Sequence, residues 1–417
     1  MKPHIKYITI YAITAASLIL LLIAVACIPR EMIAPKIEES AECLTEQPFH
    51  FVWILPGVEG SRLDQYADSM LLSVTYYLDE KAPLQSLMWS RYYWDQNEYI
   101  NASFLKGVRE HAEPNQEYLR YWHGSQIFVR PMLLFWNVRQ IYIFHSFLLA
   151  LLVAWLLFIL IKGGMKREAF SLCVALIAVN IWFVPLCLEY FWMFEVMLIA
   201  SIIVVKTELG GKRRIPDGFF LVIGIVTVFL DFFTTETLTL LIPMLLLLRI
   251  RSAKNQEQGA FYTVIKCSWL WGFGYVTMWC GKWLLASIVL RQNVMPYVQN
   301  SIAEHMGQFD TIPASRQLME TLMRNVGALF PFGYGICGAV FFVVLLIVFL
   351  FIPVLRGQIV LKPVIPKQRI RIYLFIGAVP YIRYLLIRHH SWFHYFFMHR
   401  AQAASIMALC LILFELL

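Results

Sequence analysis

Charge is scarce in this sequence. Asp, Glu, Lys and Arg make up 15% of its 417 residues, well under the ~25% of a soluble globular chain. That shortage argues against a soluble domain, and against reading the net charge of +8 as a nucleic-acid footprint. Cysteine offers no framework either. The eight cysteines form no Cys-x-x-Cys pair and no Cys/His spacing, and only Cys43 stands clearly in a polar segment. Neither a disulfide scaffold nor a structural zinc is expected. Internal repeats, low-complexity stretches and linkers are missing too, so nothing marks off a separate soluble unit.

Long apolar runs take the place of charge. Hydrophobic residues reach 59% and mean hydropathy is +0.64, and runs near the ~20 residues that cross a bilayer recur along the chain. The first is 7–28, behind Lys2 and Lys6. Ala24-Val25-Ala26 before Cys27 fits a signal-peptide cleavage site, but the run is long for one and a retained anchor is expected. Further spans are expected near 141–161, 169–187, 190–206, 217–232, 236–250, 261–290, 333–355, 370–388 and 401–417. The fold class is therefore an all-α integral membrane protein with about ten transmembrane helices. The 261–290 run is too long for one upright crossing and has to tilt or extend beyond the bilayer.

Cations fall in alternate connections: Lys162 to Arg167, Lys206 to Arg214, Arg249 to Lys254 and Arg356 to Arg371. This bias puts both termini in the cytoplasm and residues 29–139 outside a cell membrane, with the connection at 291–332 on the same outer side. The chain then divides into a first helix at 1–28, an exported loop with juxtamembrane helices at 29–139, and a multi-span domain at 140–417. The exported loop is net acidic, with 10 Lys and Arg against 15 Asp and Glu. Its aromatic residues, Trp89 to Tyr99 and Tyr118 to Trp122 among them, suit sugar rings or a membrane interface.

Two stretches of that loop carry candidate chemistry. The stretch Gly57-Val58-Glu59-Gly60-Ser61-Arg62-Leu63-Asp64-Gln65-Tyr66-Ala67-Asp68-Ser69-Met70 continues through Leu71 and Leu72 as a predicted amphipathic helix. Four residues apart, Asp64 and Asp68 would share one helix face. They are either a solvated face or a pair for general-base or metal work. Further on, Arg120, Tyr121, His123 and Arg130 either contact substrate or lock the loop to the helical bundle.

Ionisable groups in apolar runs are costly and mark function by default. Asp231 and Glu236 flank Phe232-Phe233-Thr234-Thr235 at a predicted outer junction, as substrate contacts or as a polar turn. Lys282 lies in Trp279-Cys280-Gly281-Lys282-Trp283. Glu189 and Glu195 read as turn or interface groups. Late in the chain, Arg383, Arg388, His389, His390, His394, His399 and Arg400 crowd the predicted outer end of a helix, against the prevailing charge bias. Such a cluster, with Lys282, would bind a phosphate, or form a headgroup belt.

This layout of first helix, long exported loop with an acidic motif, then many spans resembles the GT-C class of membrane glycosyltransferases. That class includes the protein O-mannosyltransferases and bacterial aminoarabinose transferases. The stretches Leu63-Asp64-Gln65-Tyr66-Ala67-Asp68, Tyr121-Trp122-His123-Gly124, Asp231-Phe232-Phe233-Thr234-Thr235 and His390-Ser391-Trp392-Phe393-His394-Tyr395-Phe396-Phe397 also resemble multi-pass proteins of Gram-positive surface-polysaccharide loci. The resemblance implies a sugar transferred from a polyprenyl-phosphate donor to an exported acceptor. It also implies a first-loop acid, Asp64 or Asp68, as the general base. Several members of the class carry adjacent acids, whereas these two are four apart, so the choice between them and any role for a divalent metal stay open. Expected partners are membrane lipid, the lipid-linked donor and the exported acceptor, with no nucleic acid. The alternatives are a transporter or flippase of lipid-linked saccharides, and a polysaccharide polymerase or ligase.

Overall fold

Helices make up nearly all of the regular structure. The computed structural model describes residues 3–47, 49, 51–211, 214–216, 218–254, 259–306, 313–355 and 367–416. Lys2, Lys212, Arg213, Arg356 and Lys362, which contributed to the orientation, lie outside the described residues. The first helix, α1 (Pro3–Ala26), leads into a polar layer of short helices: α2 (Arg30–Thr45), α3 (Gln65–Tyr76), α4 (Pro83–Trp89), α5 (Ile100–Arg109) and α6 (Gln126–Met132). Amphipathic spacing explains how these pack. Ile100, Ser103, Phe104, Gly107 and Val108 form the buried face of α5, and Ile33, Ile37, Ser40, Ala41 and Leu44 that of α2, recurring every three or four residues.

The apolar part follows as α7 (Val138–Lys162), α8 (Lys166–Ala178), α9 (Phe191–Leu209), α10 (Phe219–Leu230), α11 (Leu238–Ala253) and α12 (Ala260–Leu290). Asn137 and Gln140 close a capping box on α7, satisfying N–H groups that the helix start leaves without intrahelical partners. Next come α13 (Met295–Met306) and α14 (Ala314–Gly327), then α15 (Gly335–Leu355), α16 (Lys367–Leu386), α17 (Arg388–Phe393), α18 (Tyr395–Met398) and α19 (Ala403–Leu416).

Four helical stretches among the described residues are long and apolar enough to cross a membrane: Ile5–Ala26, Val138–Lys162, Ala260–Leu290 and Tyr395–Leu416. A fifth arises if Ala314–Gly327 and Phe332–Leu345, bent by 77°, count as one. Elsewhere the elements are shorter than the apolar runs suggested. The run at 169–187 becomes the 13-residue α8, about 20 Å long at 1.5 Å per residue, and a 3₁₀ turn. Asn180 in the left-handed region and Pro185 break it there. The run at 217–232 gives the 12-residue α10, which stops where Asp231 turns extended. The 261–290 run is one continuous 31-residue helix.

Close packing holds α10 to α12. A Cβ at Gly224 would stand 2.1 Å from the Trp271 carbonyl oxygen, and one at Gly274 2.5 Å from that of Leu221. Glycine at both positions lets the two backbones approach. At the far end of the bundle, Arg249 pairs with Glu168 at 2.7 Å and also with Glu415, which Arg369 meets at 3.0 Å. This ties α8, α11, α16 and α19 together.

Candidate active site

The segment before α3 folds back as an antiparallel ribbon of β1 (Phe51–Trp53) and β2 (Arg62–Asp64), with Phe51 opposite Asp64. Ser61 Oγ holds the turn, donating to the Val58 carbonyl at 2.8 Å and accepting the Leu55 N–H at 3.0 Å. Gly60 is required by contact, since a Cβ there would lie 2.4 Å from Asn180 Nδ2. Its carbonyl accepts from Arg400 Nη2 at 3.0 Å.

The ribbon ends at Asp64, which is the N-cap of α3 and not part of it. Its side chain accepts the Ala67 N–H at 3.1 Å, as a capping aspartate does. Asp68 lies inside the helix. The two acids therefore do not share a helix face, contrary to the expectation from spacing. Asp64 lines a cavity of about 620 Å³. Asp68 does not, because its oxygens accept from the Tyr142 hydroxyl and from Leu188 N–H at 2.9 Å, with Cys187 Sγ at 3.2 Å.

The cavity gathers residues from distant parts of the chain: Glu189 before α9, Arg120 and His123 in the loop before α6, and His389, His390 and His394 around α17. Tyr66, Tyr118, Tyr121, Phe232, Tyr297 and Phe393 supply aromatic walls. The loop is pinned to α12 by Trp122 Nε1 donating to the Met278 carbonyl at 2.8 Å and Trp279 Nε1 to that of Arg120 at 3.0 Å. Gly124 N–H bonds the Phe229 carbonyl at 2.9 Å, which turns His123 into the left-handed region at φ 54°. His123 Nε2 donates to the Tyr118 carbonyl at 3.0 Å. Burial pushes its pKa down to about 3, so the ring is neutral near pH 7 and Nδ1 is an acceptor. Arg120 pairs with Glu304 at 2.8 Å.

Burial also raises the Asp64 carboxyl to about 6. Glu189 goes up further from its ordinary value, first through burial and then through the Asp64 charge. Like charge in one buried site disfavours ionising Asp64 and Glu189 together.

No family model matches this chain, and neither a curated protein nor a solved structure matches it. The chemistry of the cavity is what bears on function.

Of the residues expected at the site, Asp64, Arg120, Tyr121, His123, His389, His390 and His394 line this cavity and the others do not. Lys282 is fully buried, and its Nζ donates to the Leu87 carbonyl at 2.8 Å and toward that of Met88 at 3.4 Å. It satisfies the last turn of α4 instead of a phosphate. Arg383 forms a two-pronged buried ion pair with Glu236, and its Nη2 also donates to the Phe233 carbonyl at 3.0 Å. Both expected roles, donor contact and substrate contact, are replaced by that pair. Asp231 caps the turn after α10, accepting Thr234 N–H and Oγ1–H at 3.0 Å each. Arg130 is locked to the Thr75 and Ile28 carbonyls. His399 donates from Nδ1 to Tyr395 at 3.2 Å, and Arg400 lies 4.5 Å from the Tyr190 ring centre; both are fully buried. Arg388 opens α17 half-buried, outside the lining.

Glu189, expected as a turn or interface group, lines this cavity. An acid beside a turn between apolar runs carries no signal that distinguishes a cavity from an interface. Glu304 and Tyr297 on α13 were not singled out at all. Asp64, Glu117, Glu189 and Glu304 are the acids that line the cavity, and among the described residues no group of three or more His, Cys, Asp or Glu side chains is placed to hold a metal ion.

Proposed function

We propose that this protein is a membrane glycosyltransferase with a GT-C-like arrangement of about ten transmembrane helices, its first loop exported from the cell membrane. It moves a sugar from a polyprenyl-phosphate donor to an exported acceptor such as a cell-surface glycan, lipid or protein. The reading rests on one observation: Asp64 lines the same cavity as Arg120 and the histidines at 389, 390 and 394. Asp64 takes the proton from the acceptor hydroxyl as its oxygen bonds the anomeric carbon. The bond from that carbon to the phosphate oxygen breaks, and the electron pair leaves with the lipid phosphate. Arg120 and the histidines stabilise that anion, while the tyrosine and phenylalanine walls receive the sugar and the first isoprene units.

The test is transfer by purified protein from a panel of labelled polyprenyl-phosphate sugars to envelope glycan. Asp64→Asn should abolish it while expression and folding persist. Full activity of D64N would exclude this reading. The histidine content of the cavity also suits a polymerase or ligase of lipid-linked glycans. Loss of activity in histidine variants with D64N unaffected would favour that alternative.

A further inference from the structure

A second cavity, of about 430 Å³, opens among α1, α10, α11 and α12. Lys6 of α1, Arg214 before α10, Arg251 of α11 and Lys266 of α12 all line it. No acidic residue is present among its described lining residues, although Glu208 pairs with Arg251 at 2.9 Å and accepts Ile215 N–H at 3.1 Å alongside it. Tyr262 and Thr263 also line the cavity, and Phe220, Leu247 and Leu270 contribute an apolar floor.

This cavity lies at the other end of the bundle from the first. Lys266 and Trp279 are 13 residues apart on α12, about 20 Å along the helix axis, and Trp279 is bonded to Arg120, whose side chain lines the first cavity. Four cations from four segments, over an apolar floor at a helix-bundle end, have the composition of a site for a phosphate ester with an apolar tail.

We propose that the second cavity binds a phosphate ester, that of an anionic membrane lipid whose headgroup sits among Lys6, Arg214, Arg251 and Lys266. This does not depend on the reaction proposed for the first cavity. The full-length protein in neutral detergent is titrated with dioleoylphosphatidylglycerol, with phosphatidylcholine of the same chains, and with glycerol 3-phosphate, and binding is read by native mass spectrometry. Phosphatidylglycerol should be retained in preference to phosphatidylcholine. K6Q/K266Q should weaken that retention about tenfold or more, each cation near an anionic headgroup contributing a few-fold. K162Q/K166Q, which changes two exposed lysines outside the cavity, should bind as the parent does. K6Q alone, at an exposed position, should show a smaller weakening and serves if the double variant fails to fold. Binding of glycerol 3-phosphate that K6Q/K266Q abolishes, with no preference between the lipids, assigns the same site to a soluble phosphate. Equal retention of phosphatidylglycerol by the parent and K6Q/K266Q, equal weakening in K162Q/K166Q, or no binding of either phosphate would overturn the proposal.

Discussion

The hydroxyl of Tyr142 on α7 donates to the carboxylate of Asp68 on α3. With Leu188 N–H on the other oxygen, that contact commits Asp68 to joining α3, α7 and the segment before α9. Asp64, one turn earlier, meets the cavity instead.

The two acids should therefore respond differently to substitution. D64N keeps a side-chain oxygen to cap α3 but cannot accept a proton, so transfer should fall by about 10² to 10⁴ with the fold intact. D68A strips the acceptor from buried donors and should cost on the order of 2 kcal/mol, with transfer per folded molecule preserved. Transfer assays paired with thermal unfolding in detergent separate the two outcomes.

Dependence on pH follows from the raised carboxyl of Asp64. The base must be ionised, so transfer should decline as pH falls through about 6. Stability carries the opposite sign. The folded-state value lies above the ordinary 3.8, so the contribution to stability is full below about pH 4 and is lost as pH rises through about 6. The rise from 3.8 to about 6 corresponds to on the order of 3 kcal/mol. D64N should accordingly be more stable than the parent at pH 8 and equal to it at pH 4, measured by thermal unfolding across that range.

Glu189 should behave as a neutral group. Because burial and the Asp64 charge hold its proton well above the ordinary carboxyl range, E189Q should retain most transfer at pH 7, within about threefold, whereas D64N does not. A drop in E189Q as large as that in D64N would assign the base role to Glu189 or to the pair.

Cations that looked alike in sequence should separate into two groups. H394A or R120Q should raise the donor KM about tenfold or more, as expected for a lost charge-assisted contact to phosphate. K282M and R383M should leave donor KM unchanged and lower stability. K282M leaves the Leu87 and Met88 carbonyls unsatisfied, costing about 1–3 kcal/mol. R383M leaves Glu236 buried without its partner, costing about 3–5 kcal/mol, and R383M/E236L should recover most of that loss. Donor titrations and unfolding curves on the same preparations give both readings.

The residues that could be read correctly in advance were those governed by local or additive physics. A helical chain with membrane-length apolar segments follows from scarce charge and repeated apolar runs, because transfer into a bilayer adds up residue by residue. The buried faces of α2 and α5 follow from helical periodicity. The helix expected from the stretch around Asp64 and Asp68 forms as α3, which opens with Asp64 as its cap, because helix starts are set by local pattern.

Periodicity failed between those two acids because the helix begins after Asp64, which turns one carboxylate to the cavity and the other into the bundle. It failed again in the late basic cluster. Histidines 389, 390 and 394 reach the cavity, while Arg383 and Arg400 are taken by Glu236 and by Gly60 with Tyr190. Those partners lie from 147 to 340 residues away along the chain. Chemistry that depends on contacts between such distant positions is set by how the helices pack, and no property of the separate segments records it.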